Sequence, residues 1–219
     1  MACRQGREFW LKIVFFIAGV FINSFGIVLI TKSNLGTSQI SSISYVASLT
    51  YDALDFGTAT FLLNVAFLAV QIAILRAKTD LKIVMQLPVS FLLGYFININ
   101  MTLLAEVDPH TMPTQLICLA IGCIVLAFGI SVEVYPDIVK IPGEGIVSTI
   151  SKEMHVDFGR VKVALDVALV AIALAFSLAS FGEVRGIGIG TVVSALFVGR
   201  MVNGWSAEMY DRYDALLHR

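Results

Sequence analysis

The sequence predicts an all-α polytopic membrane protein with six spanning helices, and two observations support this fold class. Hydrophobic residues make up 58% of the 219 residues and charged residues only 14%, whereas charged residues are ~25% of a typical soluble domain. The apolar residues fall in runs of about 20, the length that a helix needs to cross ~30 Å of hydrocarbon. An outer-membrane barrel would instead show alternating patterns over ~10 residues. Helices are therefore the expected spanning elements.

The first span follows a short basic leader. Arg4 and Arg7 precede an apolar run that resembles a secretory signal. This run has no A-x-A cleavage site, so we predict a retained first helix. The later spans are recognised by the length of their apolar runs. The six predicted spans are residues 9–31, 57–75, 81–104, 113–134, 161–181 and 186–203.

Basic residues predict the orientation of these spans. Only Lys32 and Arg185 lie on one side of the predicted bundle, while all other connections rich in Lys and Arg lie on the opposite side. Because cytoplasmic loops carry the excess of Lys and Arg, both termini should be cytoplasmic. After the last span, residues 204–219 place Trp205 and Met209 on one helical face. We expect this tail to form a short amphipathic helix along the cytoplasmic interface.

A weak internal repeat divides the single membrane domain, residues 1–219, into two halves. The tripeptide FGI at Phe25 recurs at Phe128, a shift of 103 residues, and DFG at Asp55 recurs at Asp157, a shift of 102. Small-residue matches in apolar helices are individually weak, but their order and near-constant spacing favour a duplication. The pattern G-x-x-x-N also recurs, at Gly94 with Asn98 and at Gly199 with Asn203.

Each half contains three predicted spans. Because three is an odd number, the second half must insert upside down relative to the first, as in many secondary transporters. The sequence therefore predicts a first three-helix repeat over residues 9–108 and an inverted second repeat over residues 109–203.

Two connections, residues 33–55 and 137–157, hold equivalent places in the two repeats. Each can form a helix of ~18 Å at 1.5 Å per residue, which is too short to cross a membrane. Such a segment could be a re-entrant half-helix, since backbone turns at membrane depth where it is buried in protein or lines a cavity. It could equally be an interfacial helix beside an ordinary bundle. The sequence leaves both alternatives open.

Polar residues inside predicted spans are candidates for function because they are costly to bury in a membrane. Asn64 in the second span and Asp166 in the fifth are related by the 102-residue shift. Lys162 lies four residues before Asp166 and could neutralise it on the same helix face, which is the structural alternative. Uncharged intramembrane candidates are Asn23, Gln71, Gln86 and Asn98.

Glu144 lies in the second of these connections, residues 137–157, and corresponds to Ser41 of the first at the 103-residue shift. Pro142 and Gly143 precede it and favour a helix start, where free backbone N–H groups stabilise a carboxylate or an anionic ligand. Glu144 is therefore either a helix-start acid in cytoplasmic water or part of a substrate or proton site.

Several function classes lack support in the sequence. The net charge is −1 and no basic cluster extends beyond the helix flanks, so no nucleic-acid partner is expected. No predicted span contains a histidine, and H-E-x-x-H and G-x-S-x-G are absent. Cys3, Cys118 and Cys123 show no zinc spacing. We expect no enzyme activity, no metal and no cofactor; a homodimer is left open.

Five stretches together resemble the bacterial YczE/YyaS/YitT membrane protein family: SNLGTSQISSISYV, DFGTATFLLNVAFLAVQI, QLPVSFLLGYF, the P-G-E-G element at Pro142 and GIGIGTVVSALFVG. The resemblance extends over residues 19–199 and implies a multi-span protein of the bacterial cytoplasmic membrane. It implies little about activity. Related sequences often carry proline, an acid and glycine at the P-G-E-G element, which matches Glu144 after a difference of one residue in spacing.

The functional prediction is a small secondary transporter or permease for a small polar or anionic solute. The alternative is a non-transporting membrane scaffold or regulatory subunit. For proton or ion coupling we predict Glu144 and Asp166, because a protonatable carboxylate can take up a proton on one side and release it on the other. Lys140 and Arg200 could balance an anionic solute. The predicted substrate-binding residues are Ser38, Gln39, Ser41, Ser42, Asn64, Glu144, Ser148 and Thr149.

Overall fold

The structure is a computed structural model that describes residues 2–217, with side chains described for residues 9–76, 78–202 and 205. Within these residues the regular secondary structure is helical and contains no strand. A 3₁₀ turn over Arg76–Lys78 links the third and fourth helices. The helices in order are α1 Ala2–Lys32, α2 Ser42–Thr50, α3 Phe56–Leu75, α4 Leu81–Val84, α5 Gln86–Leu103, α6 Met112–Val134, α7 Pro142–Met154, α8 Phe158–Phe181 and α9 Ile189–Leu217.

Five helical segments are long and apolar enough to cross a membrane, and they make this chain a membrane-embedded helical protein. Their bounds agree with the first five predicted spans: Phe9–Lys32, Phe56–Leu75, Leu81–Leu103, Met112–Val134 and Phe158–Phe181. The sixth predicted span corresponds to a shorter apolar segment, Ile189–Val202 of α9. This segment covers only ~21 Å at 1.5 Å per residue, less than the hydrocarbon thickness.

The tail differs from its prediction. α9 continues without a break from Ile189 to Leu217 instead of ending before a separate interfacial helix. Trp205 packs its ring on that of Phe128, with centroids 5.9 Å apart, so the start of the tail is attached to α6. The side chain of Met209 lies outside the described residues.

The centre of the fold is the contact between α1 and α6. Glycines allow the two backbones to approach closely: a Cβ added at Gly19 would lie 2.5 Å from the backbone nitrogen of Glu133, and one at Gly122 would lie 2.8 Å from that of Ile30. Gly26 and Gly129 meet the opposite helix in the same way. Since early residues of α1 meet late residues of α6, the two helices run antiparallel. Small residues favour such close packing inside membranes.

The remaining helices pack around this pair. α5 lies on α1, and α9 lies on α6; α3 contacts α2, α5 and α7, while α8 contacts α2 and α7. Two aspartates begin equivalent helices by accepting a backbone hydrogen bond: Asp55 from Thr58 N at 2.6 Å and Asp157 from Arg160 N at 3.2 Å. Each cap satisfies an N–H that the first turn leaves free.

The two unusual connections meet inside the protein. Ile40, just before α2, lies against Gly143 at the start of α7, since a Cβ on the glycine would be 3.1 Å from Ile40 Cδ1. Ile40 and Ile43 also pack on a buried apolar cluster that contains Ile146 and Val147 of α7. The beginnings of α2 and α7 therefore face each other in the interior.

We expect Gly26→Ala to destabilise the protein by about 1–3 kcal/mol, because its Cβ would collide with the backbone of Leu126. Gly199→Ala is the matched control, since a Cβ at Gly199 has nothing within 4 Å. The measurement is the free energy of unfolding in detergent micelles. Equal stability of the two variants would contradict the close approach of α1 and α6.

Candidate functional site

A buried polar pair joins α1 to α6. Asn23 Nδ2 donates a hydrogen bond of 2.7 Å to Glu133 Oε2. Only 3% of Glu133 and 5% of Asn23 are exposed. A carboxylate buried among membrane-spanning helices is costly unless it is protonated or paired. The pair is therefore a strong candidate for function.

The pair joins the two halves of the chain, and it is not repeated at the equivalent positions. At the 103-residue shift, Asn23 corresponds to Leu126 and Glu133 to Ile30, and both of these side chains are buried and apolar. The contacts are reciprocal as well, because Gly129 packs on Asn23 whereas Gly26 packs on Leu126. The two halves thus share a backbone arrangement, and one of them carries a carboxylate where the other carries an alkyl group.

Glu144 lies in the first turn of α7 and is partly buried. Its carboxylate is close enough to that of Glu133 for the two charges to repel each other. Burial raises the pKa of Glu144 above its ordinary value of 4.5, although the positive charges of Lys162 and Lys140 act in the opposite direction. Glu144 is therefore no ordinary helix-start acid in water.

A buried amide pair fixes the start of α7. Gln71 Nε2 donates to Gln86 Oε1 at 3.0 Å, and Gln86 Nε2 returns a bond of 3.2 Å to Gln71 Oε1. Gln71 also donates to the carbonyl of Pro142 at 3.3 Å and accepts a bond of 3.5 Å from Thr149 Oγ1. A Cβ on Gly145 would lie 2.8 Å from Gln71 Oε1. These contacts hold α7 against α3 and α5.

Most of the predicted site residues in the connection over residues 33–55 form hydrogen bonds within the protein. Ser38 Oγ donates to Ser41 Oγ at 2.9 Å, and Ser42 Oγ donates to the Gln39 carbonyl at 2.6 Å. Gln39 Nε2 donates to the carbonyl of Thr191 at 2.6 Å and to the Ser194 hydroxyl of α9 at 3.0 Å. The structure therefore uses these four residues to order the connection and to attach it to α9.

The other predicted site residues are scattered. Asn64 is buried, and within the described part of the chain its Nδ2 has no hydrogen-bond partner. Asp166 accepts hydrogen bonds of 2.6 and 2.8 Å from Lys162 Nζ. This is the pairing expected if Lys162 simply neutralises Asp166. Lys140 Nζ is 3.4 Å from Ser148 Oγ.

Arg200 is exposed on α9. Thr149, bonded to Gln71, and Glu144 are the two predicted site residues that come close to the buried polar groups of α3 and α6. Within the described residues, no group of three or more His, Cys, Asp and Glu side chains could hold a metal ion.

A cavity of about 260 Å³ opens at the opposite end of the bundle. A hydrogen bond of 2.9 Å from Asn34 Nδ2 to Asp108 Oδ1 crosses this region, and Lys32 Nζ lies 3.5 Å from the carbonyl of Ala105. These contacts join the end of α1 to the connection between α5 and α6. The cavity is lined by Thr31, Lys32, Asn34, Tyr45, Met101, Ala105, Val107 and Asp108.

Sequence reasoning did not select Glu133 as a site residue. Glu133 is next to the last residue of α6, where an acid normally reaches interfacial water. One signal could have identified it: at the 103-residue shift it replaces Ile30, the last residue of an apolar run.

A family model described as "Family of unknown function (DUF6198)" matches residues 10–207, which is most of the chain. No curated protein and no solved structure matches this chain.

We expect the single substitutions Asn23→Leu and Glu133→Ile each to cost about 1–3 kcal/mol, because each leaves one buried polar group without its partner. The double variant should regain most of this loss, since it copies Leu126 and Ile30, the buried apolar residues at the equivalent positions. A double-mutant cycle on the free energy of unfolding tests this. Simple addition of the two costs would contradict a direct pair.

Because Glu144 binds its proton more tightly in the folded protein than in the unfolded chain, its contribution to stability falls as the pH rises from 4.5 through the raised pKa. Glu144→Gln should therefore gain stability relative to the native protein over that pH range. The measurement is the melting temperature from pH 4 to pH 8. Glu106→Gln, at an exposed position, is the control; identical pH profiles of both variants would argue against burial of Glu144.

Proposed function

We propose that this chain, which belongs to the DUF6198 family of unknown function, is a small secondary transporter built from two inverted three-helix repeats. It moves a small polar or anionic solute and couples this movement to protons. The observation that carries the proposal is the buried Asn23–Glu133 pair beside Glu144, at the place where the beginnings of the two short helices meet.

Reciprocal packing supports the inverted repeats. The contact of Gly19 with Glu133 corresponds to that of Gly122 with Ile30 when 103 residues separate each equivalent pair. The same relation holds between helices: α5 on α1 corresponds to α9 on α6, and α3 on α7 corresponds to α8 on α2. A two-fold axis between α1 and α6 accounts for all of these contacts.

The sixth span and the orientation follow from this symmetry. α9 is the counterpart of α5 and would therefore cross the membrane. Its apolar segment, Ile189–Val202, is too short to do so alone, so residues beyond Val202 would complete the crossing. Six crossings return the C-terminus to the side of the basic N-terminal leader, so both termini are cytoplasmic under the positive-inside rule. Residence in a bacterial cytoplasmic membrane and membership of the YczE/YyaS/YitT family remain predictions from the sequence resemblance.

Contacts at both ends of α7 support a re-entrant half-helix. Gly143 at its start meets Ile40 in the interior, whereas Glu153 near its end forms an ion pair of 3.1 Å with Lys78 in the connection after α3. α7 would therefore run from the cytoplasmic surface to the interior. α2 and α7 both direct the positive ends of their helix dipoles toward this place, an arrangement that transporters use for anionic groups of a substrate.

The depth of Glu133 suits a coupling residue. The reciprocal α1–α6 contacts are centred next to Phe25 on α1 and Phe128 on α6. If that centre lies at the bilayer midplane, Glu133 is ~8 Å below it at 1.5 Å per residue, well inside a hydrocarbon half-thickness of ~15 Å. Glu144, whose pKa is raised by burial, lies beside this pair and can carry a proton. Binding or release of that proton changes the charge at the site as the protein changes conformation.

The alternative function, a non-transporting scaffold or regulatory subunit, has one observation in its favour. The polar groups of Ser38, Gln39 and Ser42 form hydrogen bonds within the protein. In a scaffold, the polar connection would serve only to attach α2 to α9.

The test uses the purified protein in liposomes that contain the pH dye pyranine. Inward gradients of single amino acids, organic acids and sugars are applied in turn, and proton movement is followed by fluorescence. We expect at least one solute to drive proton flux, and Glu133→Gln and Glu144→Gln each to reduce that flux at least tenfold while the melting temperature shows a folded protein.

Glu106→Gln, which removes an exposed carboxylate, is the matched control. A flux that survives both glutamate substitutions would refute coupling by this pair. No solute-driven flux across the panel would favour the scaffold.

A further inference from the structure

The outer ends of α3 and α5 are closed on each other by a specific set of residues. A Cβ at Gly94 would lie 2.6 Å from the carbonyl oxygen of Gly57, so the two backbones are in contact. Asn98 then makes two hydrogen bonds: its Nδ2 donates to Asp55 Oδ1 at 2.6 Å, and its Oδ1 accepts from Gly57 N at 2.8 Å. Asp55, Gly57, Gly94 and Asn98 thus form a clamp between the two helices.

The second half of the chain contains the same four residue types at equivalent positions. Asp157 and Gly159 follow Asp55 and Gly57 at a shift of 102, and Gly199 and Asn203 follow Gly94 and Asn98 at a shift of 105. The DFG and G-x-x-x-N patterns of the sequence are these two sets.

In the structure the second set is open. Among the residues whose side chains are described, a Cβ at Gly199 would meet nothing within 4 Å, and one at Gly159 would meet only the carboxylate of Asp157, two residues away. Asp157 is bonded to the backbone of Arg160 in its own helix. Among the described residues α8 and α9 share no packing interface comparable to that of α3 and α5. The side chain of Asn203 lies outside the described residues.

Glycine at positions 159 and 199 therefore has no explanation in the packing of this conformation. Glycine inside a helix costs ~1 kcal/mol relative to alanine, so Gly199, which no described residue approaches closely, needs another reason. A second conformation, in which α8 and α9 meet as α3 and α5 meet here, supplies it.

We propose that the ends of α8 and α9 at Asp157, Gly159 and Gly199 are the cytoplasmic gate of the transport cycle. In the conformation described here the outer clamp is closed and this gate is open. In the second conformation α8 and α9 meet at Gly159 and Gly199 as α3 and α5 meet here at Gly57 and Gly94, while the clamp of Asp55, Gly57, Gly94 and Asn98 opens. The proposal rests on the proposed function, because a gate has a purpose only in a protein that exposes its site to each side in turn.

The two short helices explain how the clamp and the gate exchange. α2, from the first repeat, packs on α8 of the second, and α7, from the second repeat, packs on α3 of the first. A movement of α8 toward α9 therefore carries α2 with it, and a movement of α3 away from α5 carries α7. Since the clamp and the gate use the same residue types, the two conformations differ by only a small number of contacts, and both can be populated.

Gly199→Leu is the decisive variant. The larger side chain has free space in the conformation described here and would fill the place that α8 needs when the gate closes. Val192→Phe is the control, because Val192 is exposed and its counterpart in the clamped repeat, Leu87, is also exposed.

Distances are measured by pulsed electron paramagnetic resonance in a variant whose native cysteines are replaced by alanine. Spin labels at Val163 and Leu196 report on the gate, and labels at Leu62 and Tyr95 report on the clamp; all four positions are exposed. We expect two distance populations in each pair, with short gate distances accompanying long clamp distances. Asn98→Ala should enrich the closed gate, and Gly199→Leu should reduce it at least tenfold.

The gate is refuted if each pair shows a single distance that neither Asn98→Ala nor Gly199→Leu alters, or if Val192→Phe acts like Gly199→Leu. The liposome assay separates this result from a failure of the transport proposal. Solute-driven flux that persists in Gly199→Leu refutes the gate and leaves transport intact. Exchange between the two distance populations without flux for any solute supports the gate motion and refutes transport.

Discussion

The close approach of α1 and α6 is the constraint on which the rest of the structure depends. Four glycines bring two antiparallel backbones into contact, and any side chain at Gly19 or Gly122 would separate them. Water does not drive helices together inside a membrane, so association depends on tight packing and on hydrogen bonds between helices. The contact also brings Asn23 of one helix to Glu133 of the other. Packing and the polar site therefore share one origin.

The polar groups of the interior serve different purposes. Gln71 and Gln86 satisfy each other and hold α7 in place, so their role is structural. Glu133 and Glu144 cannot satisfy each other while both are charged, and Asn23 supplies a donor to only one of them. A buried polar group with every partner present makes a structure rigid, whereas two like charges close together are costly to bury and call for a role beyond packing. The protein places one arrangement next to the other.

The sequence was sufficient to predict the first five spans, because crossing ~30 Å of hydrocarbon imposes a length and a composition that a single chain reveals. The recurring DFG marks two helix starts in the structure, where Asp55 and Asp157 each accept a backbone hydrogen bond, but the repeat alone did not predict these caps. The sequence could not assign partners. From the sequence, Glu133 is an acid at the interfacial end of a helix, and only the structure places Asn23 against it. Gln39 was likewise predicted to bind a solute, whereas in the structure it bonds to α9. Both depend on contacts between residues more than a hundred positions apart.

The crossing of the short helices between the two halves has a consequence for biosynthesis. α2 emerges early, but its partner α8 is made only after the fourth span, and α3 must wait equally for α7. When the first half has been made, α2 can pack on α3, but α8 does not yet exist. Neither half can therefore complete its contacts alone, and the fold closes only after the second half has been translated.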